Sequence, residues 1–199
     1  MFEKKCPLCN QDNPDVLEDH LVAFSGDHGY PGPSIIVRLC VNCNRAIHRC
    51  SWTLVSEESE AVITRYLSFL EATLPLPLFQ VLREELLAAK ESVALQYGRI
   101  DAYELGAESR GKKCILCGCT NPDFLEEHDT SAWSQQAQLV PTTIMDVCAN
   151  CHRVIVKFFE KKRLPVSEQS KTLLQKYLAC AREVLSEQIR NELASFLGL

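Results

Sequence analysis

Residues 40–48 read Cys-Val-Asn-Cys-Asn-Arg-Ala-Ile-His, and residues 6–9 read Cys-Pro-Leu-Cys. Two such cysteine knuckles, about 30 residues apart, can close one tetrahedral metal site. Free buried cysteines or disulfides are the alternative. No apolar signal segment follows the charged start of the sequence, so we expect a cytoplasmic protein in a reducing compartment, which favours metal. We predict a structural Zn²⁺ ion bound by Cys6, Cys9, Cys40 and Cys43.

A second copy of this arrangement follows at an offset of 108 residues, the separation of Cys6 from Cys114. The same offset aligns Asn13-Pro14-Asp15 with Asn121-Pro122-Asp123, and residues 17–20 with residues 125–128. The sequence is therefore a tandem repeat, which we divide into residues 1–106 and residues 107–199. A second structural zinc ion is predicted at Cys114, Cys117, Cys148 and Cys151.

Each cysteine-rich module is followed by a segment with helical periodicity. Ser56 and Ser167 are suitable N-caps, and apolar residues recur behind them at helical spacing. A further long helix is predicted from about Leu78 to Tyr97, after two prolines. Short strands are predicted at Ile35–Leu39 and Thr143–Val147, each leading into a second knuckle and then a short helix.

The composition excludes a membrane protein and argues against a general attraction to nucleic acid. Hydrophobic residues make up 46% of the chain, but no apolar run approaches the ~20 residues that span a bilayer. The formal net charge is −5, and eight thiolates with two Zn²⁺ ions would bring it to about −9. Contact with DNA or RNA would therefore depend on local basic residues.

The order Cys-x-x-Cys, Asp-His, Cys-x-x-Cys-Asn-x-x-x-His resembles the zinc-stabilised HNH (His-Asn-His) endonucleases. The resemblance covers residues 6–48 well and residues 114–152 in part, and it does not extend to the helical tails. It implies an α+β fold: two small zinc-stabilised ββα-metal modules, each with a helical tail, in a chain that is mostly helical overall.

The same resemblance implies phosphodiester hydrolysis with one catalytic Mg²⁺ or Mn²⁺ ion. His20 would be the general base, Asp19 would ligate the ion, and His48 would complete the site. Arg38, Arg45 and Arg49 would contact phosphates of the nucleic acid, for which DNA is the first expectation. Without the resemblance, His20 and His48 would be interpreted as core, capping or helix-face histidines, and Asp19 as a solvated acid.

The sequence departs from the family at several positions. The asparagine expected five or six residues before the second knuckle is replaced by Ser34 or Ile35. In the second repeat Glu127 stands for Asp19 and Val156 for His48. Since valine cannot bind a metal ion, we interpret the second copy as zinc-stabilised but degenerate and catalytically inactive.

Two functions are compatible with these observations. The first is a metal-dependent HNH-type endonuclease whose active site lies in the first repeat, as in nucleases of host-defence or mobile-element systems. The second is a non-catalytic zinc-binding adaptor that binds a protein partner or nucleic acid. In either case the helical tails offer a docking face for a larger protein partner.

Overall fold

The computed structural model of the protein describes residues 4–23, 31–97, 112–130, 144–160, 166–183 and 185–199. The fold is α+β, with two small two-stranded sheets and a majority of helix. The predicted fold class, zinc-type modules with helical tails, is confirmed. No helix in the described ranges combines the length and the apolar character that crossing a bilayer requires.

Module 1 is a β-hairpin followed by a short helix. Strand β1 (Leu17–Ala23) pairs antiparallel with β2 (Ile35–Cys40), and helix α1 (Val41–Arg49) follows without an intervening loop. Along β1, Leu17, His20 and Ala23 are buried, whereas Asp19 and Leu21 are exposed, so the strand is partly buried. β2 extends one residue beyond the predicted strand, and α1 starts before the predicted Asn44. The second knuckle is therefore shared between the strand end and the first helical turn.

The tail of the first repeat consists of two helices. Helix α2 (Glu57–Thr73) begins at Ser56, whose hydroxyl accepts a hydrogen bond from the Ser59 amide, as the sequence predicted. Its buried face carries Val62, Ile63, Tyr66 and Leu70. Helix α3 (Leu76–Tyr97) begins two residues earlier than predicted, because a proline is tolerated within the first turn of a helix.

Module 2 repeats the hairpin and helix. Strand β3 (Leu125–Asp129) pairs antiparallel with β4 (Ile144–Cys148), and helix α4 (Ala149–Glu160) follows. Thr143, the first residue of the predicted strand, lies outside the described residues. Helix α5 (Glu168–Ala181) is capped by Ser167, again as predicted, and helix α6 (Glu187–Leu197) follows it.

The chain forms two compact units, and neither coincides with a sequence repeat. Unit 1 contains residues 1–12, 17–111 and 121–123, and unit 2 contains residues 13–16, 112–120 and 124–199. The core of unit 1 includes Leu39, Ala46 and Ile47, whereas the core of unit 2 includes Val154 and Leu174. The predicted boundary between residues 106 and 107 lies outside the described residues. Each unit thus takes in a short segment of the other repeat.

Candidate metal centres and histidine–tyrosine pairs

The first candidate metal centre is formed by four cysteines of module 1. Cys6 and Cys9 lie in a turn before β1, Cys40 ends β2, and Cys43 lies in the first turn of α1. All four sulfur atoms lie within 4.8 Å of one another, and those of Cys9 and Cys40 are 3.6 Å apart. A tetrahedral zinc ion with Zn–S bonds of ~2.3 Å separates its sulfurs by roughly 3.8 Å, whereas a disulfide bond measures ~2.05 Å. The geometry therefore fits one zinc ion and excludes a disulfide.

The second centre has the same construction in module 2. The sulfur atoms of Cys114, Cys117, Cys148 and Cys151 also lie within 4.8 Å of one another. Those of Cys117 and Cys148 are 3.6 Å apart, and all eight knuckle cysteines are free thiols. The predicted pairing of the four knuckles into two clusters is confirmed, and each cluster could hold a structural zinc ion.

The ionisation of the thiols supports a cation at each centre. The hydrogen bond with Cys40 lowers the pKa of the Cys6 thiol and raises the pKa of the Cys43 thiol. In module 2 the first-knuckle thiols likewise have a lowered pKa and the second-knuckle thiols a raised one. Without a cation, only part of each cluster can ionise, because neighbouring thiolates repel one another. A divalent cation stabilises all four thiolates together, and four soft sulfur ligands suit Zn²⁺.

The first knuckles depend on a left-handed residue that the sequence analysis missed. Asn10 has φ of 61° and Gly118 has φ of 77°, and each directly follows the second cysteine of its knuckle. The amides of these two residues donate to the carbonyls of Cys6 and Cys114, at 2.9 and 2.8 Å. Asparagine and glycine are the residues that tolerate this conformation best. Their alignment at the repeat offset was the signal that could have revealed the turn.

His20, the predicted general base, is buried against the tail helix. It is 7% exposed, and its Nε2 lies 2.9 Å from the hydroxyl of Tyr66 on α2. Its ring centroid is 5.4 Å from that of His48 on α1. Burial, followed by the charge of His48, lowers the pKa of His20, and burial raises the pKa of Tyr66. Both groups are therefore neutral near pH 7 and share a hydrogen bond between uncharged partners.

Module 2 contains the same pair. His128 on β3 is 2% exposed, and its Nε2 lies 3.1 Å from the hydroxyl of Tyr177 on α5. Burial, followed by the charge of His152, lowers the pKa of His128 to about 4. The two tyrosines align between the repeats, but the sequence analysis assigned them only to the apolar stripes of the tail helices.

A carboxylate shares the strand face of each buried histidine. In module 1, Asn44 donates a 2.5 Å hydrogen bond to Glu18, two residues before His20. In module 2 the equivalent residues, His152 and Glu126, are 2.7 Å apart. Neither glutamate was among the predicted site residues, because the family motif places the metal ligand at the next residue, which is Asp19 in module 1.

Asp19, the predicted metal ligand, points away from His20. Successive residues of a strand face opposite sides, so Asp19 lies on the outer face of the hairpin, with its side chain 60% exposed. Its carboxylate is 3.9 Å from the guanidinium of Arg38, its cross-strand partner. Among the described residues, only the two cysteine clusters bring three or more acidic, histidine or cysteine ligands within 4.8 Å of one another. The structure therefore brings His20 and His48 together but leaves Asp19 apart.

The predicted phosphate-binding arginines are dispersed around module 1. Arg38 faces Asp19, as described above. Arg49 donates to the carbonyl of Asp123 at 3.1 Å and lies 3.9 Å from its carboxylate. Arg45 is partly exposed on α1. Two of the three guanidinium groups are thus directed toward acids of the protein, and a phosphate contact stays a prediction.

Comparison of the chain with protein-family models, curated proteins and solved structures gave no match. The geometry supports a tandem arrangement of two four-cysteine clusters that could bind zinc.

Proposed function

We propose that this protein is a non-catalytic, zinc-stabilised binding protein whose two HNH-like modules serve as a scaffold, and that its partner is a protein. The observation that carries the proposal is the histidine–tyrosine pair. The histidine at the position of the general base is buried and bonded to a tail tyrosine in both modules. Module 2 has Val156 where a metal ligand would be needed, so the His128–Tyr177 pair has a structural role there. The same geometry of His20 and Tyr66 in module 1 favours the same role.

The chemistry of the pair suits packing better than proton transfer. A general base must reach the water that it activates, but the bonding Nε2 of His20 is directed at Tyr66 within a buried contact. A buried polar group is stabilising when its hydrogen bond is made and costly when it is left unpaired. The pair therefore fixes the tail helix on the hairpin.

Charge favours a protein partner over nucleic acid. Zinc-loaded, the chain would carry about −9, and the carboxylates of Asp19 and Asp123 lie beside Arg38 and Arg49. Among the residues that the structure describes, the largest strongly exposed apolar side chain is Trp52, which is 75% exposed between α1 and α2. An exposed tryptophan is typical of protein-binding surfaces.

Matched substitutions in the two modules test the scaffold role. We expect His20→Gln and His128→Gln to lower the unfolding midpoint by similar amounts, while zinc-loaded wild-type protein cleaves neither DNA nor RNA with Mg²⁺ or Mn²⁺. Cleavage by the wild type that His20→Gln abolishes and His128→Gln leaves unchanged would overturn the proposal.

A photo-crosslinking residue at position 52 tests the partner. Crosslinking in the native host should capture a defined protein when the photo-reactive residue is at position 52. The same residue at position 95 should not capture that protein, although Leu95 is similarly exposed, at 73%. Capture of nucleic acid at position 52, or the same products from both positions, would contradict a protein partner bound at this surface.

The second candidate is the endonuclease, favoured by the closeness of His20 and His48. Two imidazoles that ligate one divalent ion place their ring centroids roughly 5 Å apart, and these lie at 5.4 Å. Strand alternation makes Glu18, rather than Asp19, the acid on that face, with Asn44 beside it. The ligand atoms must still move closer for an ion to bind. Mn²⁺ binding by the wild type that His48→Ala removes, with zinc retained, together with cleavage of plasmid DNA, would support this candidate.

A further inference from the structure

An Asn-Pro-Asp motif occurs in each repeat, at residues 13–15 and 121–123. Asn121–Asp123 belongs to unit 1, although the rest of the second repeat's module belongs to unit 2. Asn13–Val16 of the first repeat belongs in the same way to unit 2. Each compact unit is therefore completed by a segment from the other repeat.

In unit 1 the motif docks on the start of helix α2. The Asp123 carboxylate accepts a 2.7 Å hydrogen bond from the amide of Ser56, and Asn121 bonds the hydroxyls of Ser56 and Ser59 at 3.0 and 3.1 Å. Arg49 adds the contacts to Asp123 described above. Asn121 and Asp123 are only 5% and 6% exposed, so these bonds are made in a buried setting.

In unit 2 the equivalent residues dock on the start of helix α5. Asp15 accepts a 2.7 Å hydrogen bond from the amide of Ser167 and a 2.6 Å bond from the ammonium of Lys157. Asn13 bonds the hydroxyls of Ser167 and Ser170, at 2.9 and 3.1 Å. Burial opposes the charge of Asp15, but the bonds from Lys157 and Ser167 outweigh it and lower its pKa to about 2.

The two docking sites use the same physical means. A carboxylate at a helix N-terminus meets unpaired amides and the positive end of the helix dipole, and each site adds a cation and serine hydroxyls. A buried charge of this kind is strongly destabilising when its partners are removed. Each helix start is thus bound by two residues of the other repeat, an asparagine and an aspartate.

We propose that this reciprocal docking of Asn-Pro-Asp segments, and not the peptide connection, holds the two repeats together, so that the protein is a covalently linked dimer of repeats. Cutting the chain between the repeats leaves each unit with residues from both fragments. The fragments then remain one complex, in the manner of two subunits that exchange segments.

The experiment uses the full, zinc-loaded chain with a site-specific protease sequence inserted after Ala107. After cleavage, we expect both fragments to elute together in size-exclusion chromatography with light scattering, at the mass of the uncut protein and in a ratio of one to one. Separation of the wild-type fragments at micromolar concentration overturns the proposal.

Paired substitutions identify the contacts responsible. In the Asp15→Ala, Asp123→Ala variant the cut fragments should associate on the order of a hundredfold or more weakly. Glu57→Ala with Glu168→Ala is the matched control, because these carboxylates lie in the first turns of the same helices but are exposed. We expect the control fragments to associate as the wild type does, and equal association of both double variants refutes the role of the motif.

Uncut samples of each variant provide the folding check, through zinc content and helical circular dichroism. If the alanine variant does not fold when uncut, Asp15→Asn with Asp123→Asn replaces it, because asparagine keeps the shape and removes the charge. The cut asparagine variant should then dissociate at concentrations where the cut wild type stays associated. Association equal to that of the wild type overturns the proposal.

Discussion

The neutral state of His128 predicts a specific loss of stability on acidification. Burial, followed by the charge of His152, lowers the pKa of His128 to about 4 from the ordinary histidine value of 6.5. The unfolded chain therefore takes up this proton at a higher pH than the folded one does. The associated stability is complete above about pH 6.5 and falls as the pH decreases toward 4. The difference in pKa corresponds to roughly 3 kcal/mol below both values, of which about 2 kcal/mol is lost by pH 5.

The measurement compares urea unfolding of zinc-loaded wild-type protein and of His128→Gln at about pH 7.5 and about pH 5. Both proteins keep all eight knuckle cysteines, so the pH dependence of zinc binding cancels in the comparison. The stability advantage of the wild type should shrink by about 2 kcal/mol at the lower pH. Parallel pH dependences of the two proteins, or an imidazole resonance of His128 that titrates near 6.5, would refute the reasoning.

Three further outcomes are expected. Elemental analysis should find two zinc ions per wild-type chain, about one in Cys6→Ser, and two in Cys50→Ser, because Cys50 lies in neither cluster. Tyr66→Phe should lower the free energy of unfolding by about 1–3 kcal/mol in denaturation experiments, because it removes the hydroxyl that pairs with Nε2 of the buried His20. Leu174→Ala should cost about 2–5 kcal/mol, since Leu174 is 0% exposed, whereas the same change at the exposed Leu95 should stay within about 0.5 kcal/mol.

The cysteine clusters and the helix starts could be predicted because their determinants are local or chemically restrictive. A thiolate knuckle has few structural alternatives in a reducing compartment, and a serine cap acts on amides within three residues. Ser56 and Ser167 therefore begin helices where the sequence placed them. The tandem repeat strengthened both predictions, because the cysteine knuckles and the serine caps each occur twice at nearly the same offset.

The features that the sequence did not reveal depend on tertiary contacts or on strand direction. The docking of Asp123 on Ser56 joins residues 67 positions apart in sequence, and no local property of the Asn-Pro-Asp motif indicates its partner. Asp19 was chosen as a ligand from the family resemblance. Because successive side chains of a strand point to opposite faces, Glu18 and His20 lie on one face of β1 and Asp19 on the other, where its side chain is 60% exposed. A strand register set by the hairpin was needed to see this.

The contact between helix α2 and strand β1 distinguishes the two candidate functions. For His20 to act on a water molecule, helix α2 must move away from β1 and break the bond to Tyr66, because the closed arrangement leaves His20 only 7% exposed. Removing the tyrosine hydroxyl makes that opening easier. A nuclease that works through the open state should therefore become faster in Tyr66→Phe, measured as DNA cleavage with Mn²⁺, even as its unfolding midpoint falls. A scaffold loses stability and gains no cleavage. A rise in cleavage with Tyr66→Phe, absent from the matched Tyr177→Phe, would contradict the structural role proposed for the pair in module 1.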